Sequence, residues 1–274
     1  MVERVDMMDS EQLALEIRRH AIEMTHASHA SHIGAVLSVA DIVAVLYNDI
    51  LCINPKKPRD VNRDRVVLSK GHAGIAVYSA LAELGFFEKK LLDTYYQDGS
   101  VLSGHVSHKG VAGVEVSTGS LGHGVGVAVG MALAAKLDEK KHHVYTIVGD
   151  GECEEGSVWE AALFASHHKL SNFTVIIDHN KMQAMGTCEE QMGWGELAKK
   201  WEAFGFLVRE CNGHNHNELK EALNFHGEEK PICVVAHTIK GKGVSFMESN
   251  LLWHYRDPQG EFYEAARQEL GEQS

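Results

Sequence analysis

Two short stretches, Gly149-Asp150-Gly151 and Asp178-His179-Asn180, carry the residue types a hard cation needs. Each follows an apolar, β-branched run, and Asp150 and Asn180 stand 30 positions apart, about one βαβ repeat. A right-handed crossover sets two such strand ends side by side. There a carboxylate and an amide oxygen suit an ion of the magnesium class, with phosphate oxygens and water completing the shell. The glycines around Asp150 permit a tight turn whose backbone closely approaches a ligand. A helix beginning near Glu155 would offer unpaired N–H groups and a positive dipole end to an anion. Taken singly, Asp150 could cap a helix and Asn180 could merely end a strand; together they point to a metal–diphosphate site.

Histidine is the over-represented type, with 18 among 274 residues. Imidazole titrates near pH 6.5 and can take up or return a proton at neutral pH. His26, His29 and His32 recur every third residue, but a helical i, i+4 pair with a nearby acid is the sharper ligand signature, and no HExxH occurs. Surface or helix-end roles are expected for His142-His143 and His167-His168. His108, His179, His214, His216, His226 and His237 receive no functional assignment.

The elements that must position these residues follow from periodicity. Residues 10–30 repeat helically through Leu13, Ile17 and Ile22, with Ser10 as the expected N-cap. Further helices are predicted over 39–47, 75–84 (stopped at Gly85) and 124–137. The Gly-, Ser- and His-rich stretch 99–126 reads as a long loop, a feature usually tied to function. From residue 142 onward, strands over 143–148, 173–177, 206–208 and 232–236 alternate with helices near 158–168, 197–204 and 218–226. Near-continuous apolar strands in that rhythm predict a doubly wound α/β fold, a parallel sheet with helices on both faces. Ligands in such sheets bind beyond the carboxyl ends of the strands.

Composition narrows the field. Lys and Arg total 26 against 38 Asp and Glu, a formal charge of −12, which argues against nucleic acid or an anionic membrane as partner. With 44% hydrophobic and 23% charged residues, the chain is neither disordered nor collagen-like. The five cysteines, Cys52, Cys153, Cys188, Cys211 and Cys233, form no CxxC pair, as expected of free thiols in a reducing compartment. Residues 1–11 are charged around Met7 and Met8 and lack the apolar core of a signal peptide. The longest apolar stretch, 125–135, has eleven residues where a bilayer span needs about twenty. A cytoplasmic location is expected.

Several multi-residue segments, in order, resemble the transketolase family. Gly149-Asp150-Gly151 with Asn180 looks like the thiamine diphosphate motif, and Glu155-Gly156-Ser157-Val158-Trp159-Glu160-Ala161 like its transketolase version. Ser31-His32, Lys70-Gly71-His72-Ala73, Ser103-Gly104-His105 and Gly113-Val114-Glu115-Val116-Ser117-Thr118-Gly119-Ser120-Leu121-Gly122 match in turn, as does Lys240-Gly241-Lys242-Gly243 through Trp253-His254. The resemblance spans about residues 10–258. It implies a diphosphate-binding domain occupying residues 1–274, with thiamine diphosphate and Mg²⁺ (or Ca²⁺ or Mn²⁺) as cofactors. Asp150 and Asn180 are implied as metal ligands through side chains, and Met182 through its carbonyl. Gly149, Gly151, Gly119, Leu121, Glu155 and Lys240 are implied around the cofactor, with Lys242 nearby. His72 and His254 would reach the diphosphate region and the reacting carbon, and His32 and His105 the substrate hydroxyls; these four are the implied catalytic set. Glu155 and Glu160 resemble glutamates at the subunit interface.

Three departures bear on specificity rather than on reaction class: Ile33 after His32, His123 after Gly122, and Tyr255-Arg256 after His254. The pyrimidine-binding and C-terminal domains of full-length transketolases have no counterpart in this sequence. Either this sequence is a piece of a longer chain or, as expected here, the partner is a second transketolase chain carrying them, in an α₂β₂ assembly acting on sugar phosphates. Other readings are a subunit of a deoxyxylulose-phosphate synthase-like enzyme, a 2-oxo acid dehydrogenase alpha chain, or a non-catalytic partner retaining the fold. The four histidines favour transketolase.

Overall fold

The structure, a computed structural model, describes residues 8–193 and 195–271. The reading of the first residues as lacking a leader falls largely on 1–7, outside the described residues. In chain order the elements are α1 (Ser10–Ser28), α2 (Ile33–Val45), β1 (Arg65–Leu68), α3 (Gly74–Glu83), α4 (His123–Leu137), β2 (Val144–Gly149), α5 (Gly156–His167) and β3 (Phe173–His179). There follow α6 (Cys188–Gln191), α7 (Leu197–Ala203), β4 (Leu207–Asn212), α8 (His216–Leu223), β5 (Ile232–His237) and α9 (Glu261–Glu269).

The five strands form one parallel sheet in the order β1-β2-β3-β5-β4. Side chains alternate across a strand, and here both sets are apolar. Leu68, Ile147, Ile176 and Val234 pack under α1, α2, α3 and α8. Val67, Val148, Val175, Ile177 and Val235 pack under α4, α5 and α7 with Trp201. Burial on both faces is why these strands lack the polar alternation of a half-exposed sheet.

Register sets the carboxyl ends level. Gly149 pairs with Asp178, and Asp178 with Ala236, so Asp150, His179–Asn180 and Thr238 emerge together along one rim. The sequence-level expectation that β2 and β3 end side by side is met.

Several expectations change. The N-cap of α1 is Asp9, whose side chain accepts from Gln12 N at 2.8 Å; Ser10 is the first helical residue. Helix α2 begins six residues before the expected 39, because Ile33, Gly34, Ala35 and Val36 are also buried. Strand β1 has four residues, too short for periodicity to reveal. Strand β4 extends beyond 208 into Arg209, Glu210 and Asn212, exposed on the sheet edge, where charge discourages further pairing. The residues after Asp150 form a 3₁₀ turn over Gly151–Glu154, and α5 starts only at Gly156. A longer segment, Ile33–Ile50, is apolar on average although Asp41, Asn48 and Asp49 interrupt it. Its 18 residues are long and apolar enough to cross a membrane, yet 83% of it is buried inside the fold.

Candidate active site

Beyond the rim of β2, β3 and β5, four imidazoles from four separate loops converge. The ring of His32 lies 5.2 Å from that of His72, 5.8 Å from His105 and 5.0 Å from His254. His72 sits on a 3₁₀ turn directly after β1, and His254 at the end of another, Leu251–His254. His32 is the N-cap of α2 at φ +75°, a left-handed conformation costing a side chain on the order of 1–2 kcal/mol. Its backbone N–H donates to His254 O at 2.8 Å, and its Nδ1 lies 2.9 Å from Ser31 Oγ. His105 is held through its carbonyl by the Tyr78 hydroxyl at 3.2 Å. Gly119 backs its ring: a Cβ there would stand 3.2 Å from His105 Cδ2.

Lys240 joins this cluster to the expected metal donors. Its Nζ donates to His254 Nδ1 at 3.0 Å, to Gln183 O at 3.0 Å and to Met182 O at 3.4 Å. Because Lys240 donates to Nδ1, the His254 proton resides on Nε2. Asn180 Oδ1 accepts from Met182 N at 3.1 Å. Asp150 accepts from Gly151 N at 2.8 Å through one oxygen and from Lys181 N through the other, with His179 Nδ1 3.2 Å from the latter. A carboxylate has about four lone-pair sites, so Asp150 retains capacity for a further partner. Carboxylate, amide oxygen and backbone carbonyl form an all-oxygen donor set, the chemistry that hard divalent cations select. Gly151 sits close under Gln183, 2.9 Å from where its Cβ would lie.

The pocket is cationic, and its electrostatics revise the sequence-level picture of imidazoles titrating near 6.5. Burial, then His105, Lys240 and Lys70, push His32 down to about 4. Burial, then Lys240, His32 and Lys70, push His254 down to about 3. Burial and then Lys70 hold His72 well below its ordinary value. Lys240 is pushed down to about 8, first by burial and then by Lys70. At neutral pH these three histidines are uncharged beside ammonium groups.

The remaining expected residues stand outside the imidazole cluster. The Lys242 ammonium pairs with Glu248 at 3.2 Å. Glu155 and Glu160 are exposed at the start and along the side of α5, although Glu155 Cβ would lie 2.7 Å from a Cβ at Gly122. Leu121 is half-buried; its carbonyl lies 3.1 Å from Nδ1 of the exposed His123. Ile33 is fully buried, while Tyr255 is exposed edge-on to His254 with ring centroids 4.7 Å apart. Of the repeating trio, His26 stacks on Tyr263 at 3.7 Å and His29 pairs with Asp257 at 2.8 Å, so only His32 reaches the cluster.

Three supporting residues, Lys70, Asp178 and Glu152, have no role assigned from the sequence. Asp178 (0% exposed) accepts from Lys70 Nζ (2% exposed) at 2.5 Å, from Ser38 Oγ at 2.6 and 2.7 Å, and from Thr238 Oγ1. Burial raises its carboxyl, but the Lys70 ammonium and these donors outweigh burial and keep it below its usual range. Asn180 Nδ2 donates to the same Ser38 Oγ at 3.1 Å. Glu152, also buried, accepts from Ser69 Oγ, from Gly122 N at 2.8 Å and from Gly149 N at 3.1 Å. It thereby ties β1, the loop before α4 and the end of β2 together. Lys70 and Asp178 stood inside segments the sequence singles out, Lys70-Gly71-His72-Ala73 and Asp178-His179-Asn180, but nothing local marked their burial or their pairing, and nothing marked Glu152.

Comparison with known proteins gives this geometry a family. Residues 9–271 match the family described as transketolase, thiamine diphosphate binding domain. The chain is 42% identical over 257 residues to an apulose-4-phosphate transketolase subunit of Phocaeicola vulgatus, covering 93% of this chain and 91% of that one. It is 40% identical to 6-deoxy-6-sulfo-D-fructose transketolase subunit SqwG of a Clostridium species, with 96% of each chain covered. Transketolase of Campylobacter jejuni superposes with a TM-score of 0.88 at 33% identity over 95% of this chain, but only 43% of that one. The chain thus spans less than half of that solved transketolase and 38% of the human one. It belongs to the transketolase family, as a thiamine-diphosphate-binding domain.

Proposed function

We propose that this chain is the diphosphate- and metal-binding subunit of a two-chain transketolase, moving a two-carbon ketol unit from a ketose phosphate to an aldose phosphate. The observation that carries the reading is the convergence of His32, His72, His105 and His254 on one rim, joined by Lys240 to Met182 O. Asp150, Asn180 and the Met182 carbonyl would hold Mg²⁺, or Ca²⁺ or Mn²⁺, against the diphosphate. Bound thiamine diphosphate supplies a nucleophilic carbon and an electron sink. The chain's own residues supply the proton traffic. Ketol transfer removes one proton from a donor hydroxyl and returns another to an acceptor carbonyl. An uncharged imidazole is free to accept the first, and its depressed pKa makes the resulting imidazolium a ready donor for the second.

The names of the relatives support a partner chain, because those called subunits are matched over nearly their whole length and single-chain transketolases over two-fifths. We assign the partner's seat to the exposed face of α4 and α5. Val127, Leu163 and Phe164 are 41%, 60% and 42% exposed there, flanked by Glu155 and Glu160. An α₂β₂ assembly fits a cofactor shared between two chains. The five free cysteines suit the reducing cytoplasm.

The test is co-purification with a second chain carrying the pyrimidine-binding half, followed by product analysis with a ketose phosphate and an aldose phosphate, and by calorimetry with thiamine diphosphate and Mg²⁺. Ketol transfer dependent on both chains is expected. Pyruvate decarboxylation without ketol transfer would overturn the reading. A complex indifferent to cofactor and metal would mark a non-catalytic partner.

A further inference from the structure

We infer that His214, which lies outside the imidazole cluster, is a positioning residue that fixes the segment carrying Lys240. The inference rests on the proposed function only for its consequence, not for its geometry.

Beyond β5 the chain runs Thr238-Ile239-Lys240, and each of these residues has a separate tie. Thr238 holds Asp178 through its hydroxyl, and its backbone N–H donates to His179 O at 3.2 Å. Lys240 reaches His254 and the Met182 carbonyl. Ile239, between them, has a backbone N–H that donates to His214 Nε2 at 2.8 Å. A backbone N–H can only donate, so Nε2 is the acceptor and the His214 proton is on Nδ1. That Nδ1 lies 2.6 Å from Asp41 Oδ2. Carboxylate, imidazole and backbone amide thus form a directional relay, as carboxylates orient metal-bound histidines elsewhere.

The anchor of the relay is rigid. Asp41 is buried on α2, and Arg18 grips both its oxygens at 3.0 and 2.5 Å, with His216 Nε2 3.1 Å from one of them. The same helix presents Gly34 and Ser38, spaced i, i+4, i+7 with Asp41 along one stripe. Gly34 O accepts from Gly241 N at 2.9 Å, and Ser38 Oγ holds Asp178 and lies 3.3 Å from Thr238 Oγ1. Residues 34, 38 and 41 of one helix face therefore fix the 238–241 segment at three points. Of these ties, the one from Asp41 passes through the His214 imidazole, carried on the approach to α8. Its neighbour Gly213 lies against the segment so closely that a Cβ would stand 2.5 Å from Thr238 Cγ2.

His216 supplies the control. It shares Asp41 and completes its bonding with Ser10 Oγ at 2.9 Å, away from 238–241. His214→Phe and His216→Phe each remove one bond to the same carboxylate, but only the first releases Ile239. Amide hydrogen exchange over 238–241 in the cofactor-free complex is expected to quicken about tenfold or more in His214→Phe and to stay within about twofold of the unaltered complex in His216→Phe. The Kd for thiamine diphosphate with Mg²⁺ is expected to rise in the same pattern. Equal acceleration in both variants, or none in His214→Phe, overturns the inference. The exchange readout needs no cofactor, so failure of the proposed activity leaves it intact. If His214→Phe does not fold, the unaltered complex labelled with ¹⁵N-histidine decides: the Nδ1–H tautomer of His214 supports the relay, and an Nε2–H tautomer overturns it.

Discussion

Replacing Lys70 with Met tests whether the buried pair beneath the proposed metal donors is structural as well as electrostatic. The substitution keeps most of the alkyl volume and deletes the ammonium 2.5 Å from Asp178 Oδ2. Breaking a buried pair by removing one partner costs about 3–5 kcal/mol, because a charge is left without compensation. Ser38, Thr238 and Asn180 still donate to Asp178, which places the expected loss at the lower end, about 3 kcal/mol. That is over a hundredfold in the unfolding constant and roughly 6–12 °C in melting temperature for a domain near this size. The pH dependence has a definite sign. In the native protein Lys70 keeps the Asp178 carboxyl below its usual range, so its stabilisation is present above the unfolded value and fades as pH falls through the folded one. Without Lys70, burial governs and the folded value rises, so the folded state gains a proton preferentially in acid. Urea unfolding of the variant at pH 8 and pH 5 should therefore show a deficit that narrows at pH 5. A loss under about 0.5 kcal/mol, the size of an ordinary surface substitution, or a deficit that widens in acid, would refute the reasoning.

Asp150→Ala should abolish Mg²⁺-dependent retention of thiamine diphosphate in gel filtration, whereas His142→Ala, half-buried at the start of β2, should leave activity near that of the unaltered protein; equal damage would show the site misplaced. In the cofactor-free chain, His32 at about 4 and His254 at about 3 bind protons less well folded than unfolded. Stability attributable to them is present above about pH 6.5 and lost as pH falls toward those values. Melting temperature should drop between pH 7 and 5, and His254→Asn should reduce the drop. Gly71→Ala should destabilise by about 1–3 kcal/mol, since its Cβ would stand 2.4 Å from the Thr118 carbonyl oxygen, as chemical denaturation would report. Gly126→Ala and Gly130→Ala on α4 meet nothing within 4 Å and should stabilise the separate chain by about 0.5–1 kcal/mol each. If α4 seats the partner, the same two changes should weaken assembly in sedimentation, and unaltered affinity would move the interface elsewhere.

What the sequence disclosed and what it concealed divide along a physical line. Asp150 and Asn180 were legible because the strand–turn pattern around each is local, and their approach follows from a single crossover of known hand. The four histidines were legible through short motifs, each confined to a few residues. Even so, spacing alone did not say that their rings would meet within 5.0–6.4 Å. Lys70 with Asp178, Ser69 with Glu152 and Ser38 with Asp178 are separated by 108, 83 and 140 positions. No local periodicity encodes such pairs, and a lone Lys or Glu reads as surface until its burial is known. Charge states were hidden for the same reason, since it is the assembled pocket and not the residue type that drives His32 and His254 below their ordinary value.

That division also explains how the site can be both polar and rigid. A buried carboxylate is costly unless every oxygen is engaged, and Asp178 engages donors from β1's exit, α2 and β5's exit. Satisfying Asp178 therefore requires those three elements to stand in one arrangement, and that arrangement sets Asn180 beside Asp150 and Lys240 beside His254. Asp41 acts in the same way one helical turn further along α2, where Arg18, His214 and His216 converge on its two oxygens. The two buried aspartates would be liabilities in an isolated domain core. Here their demand for partners is what holds the rim residues at contact distance before any ligand arrives, so that little of the ligand's binding energy is spent on ordering them.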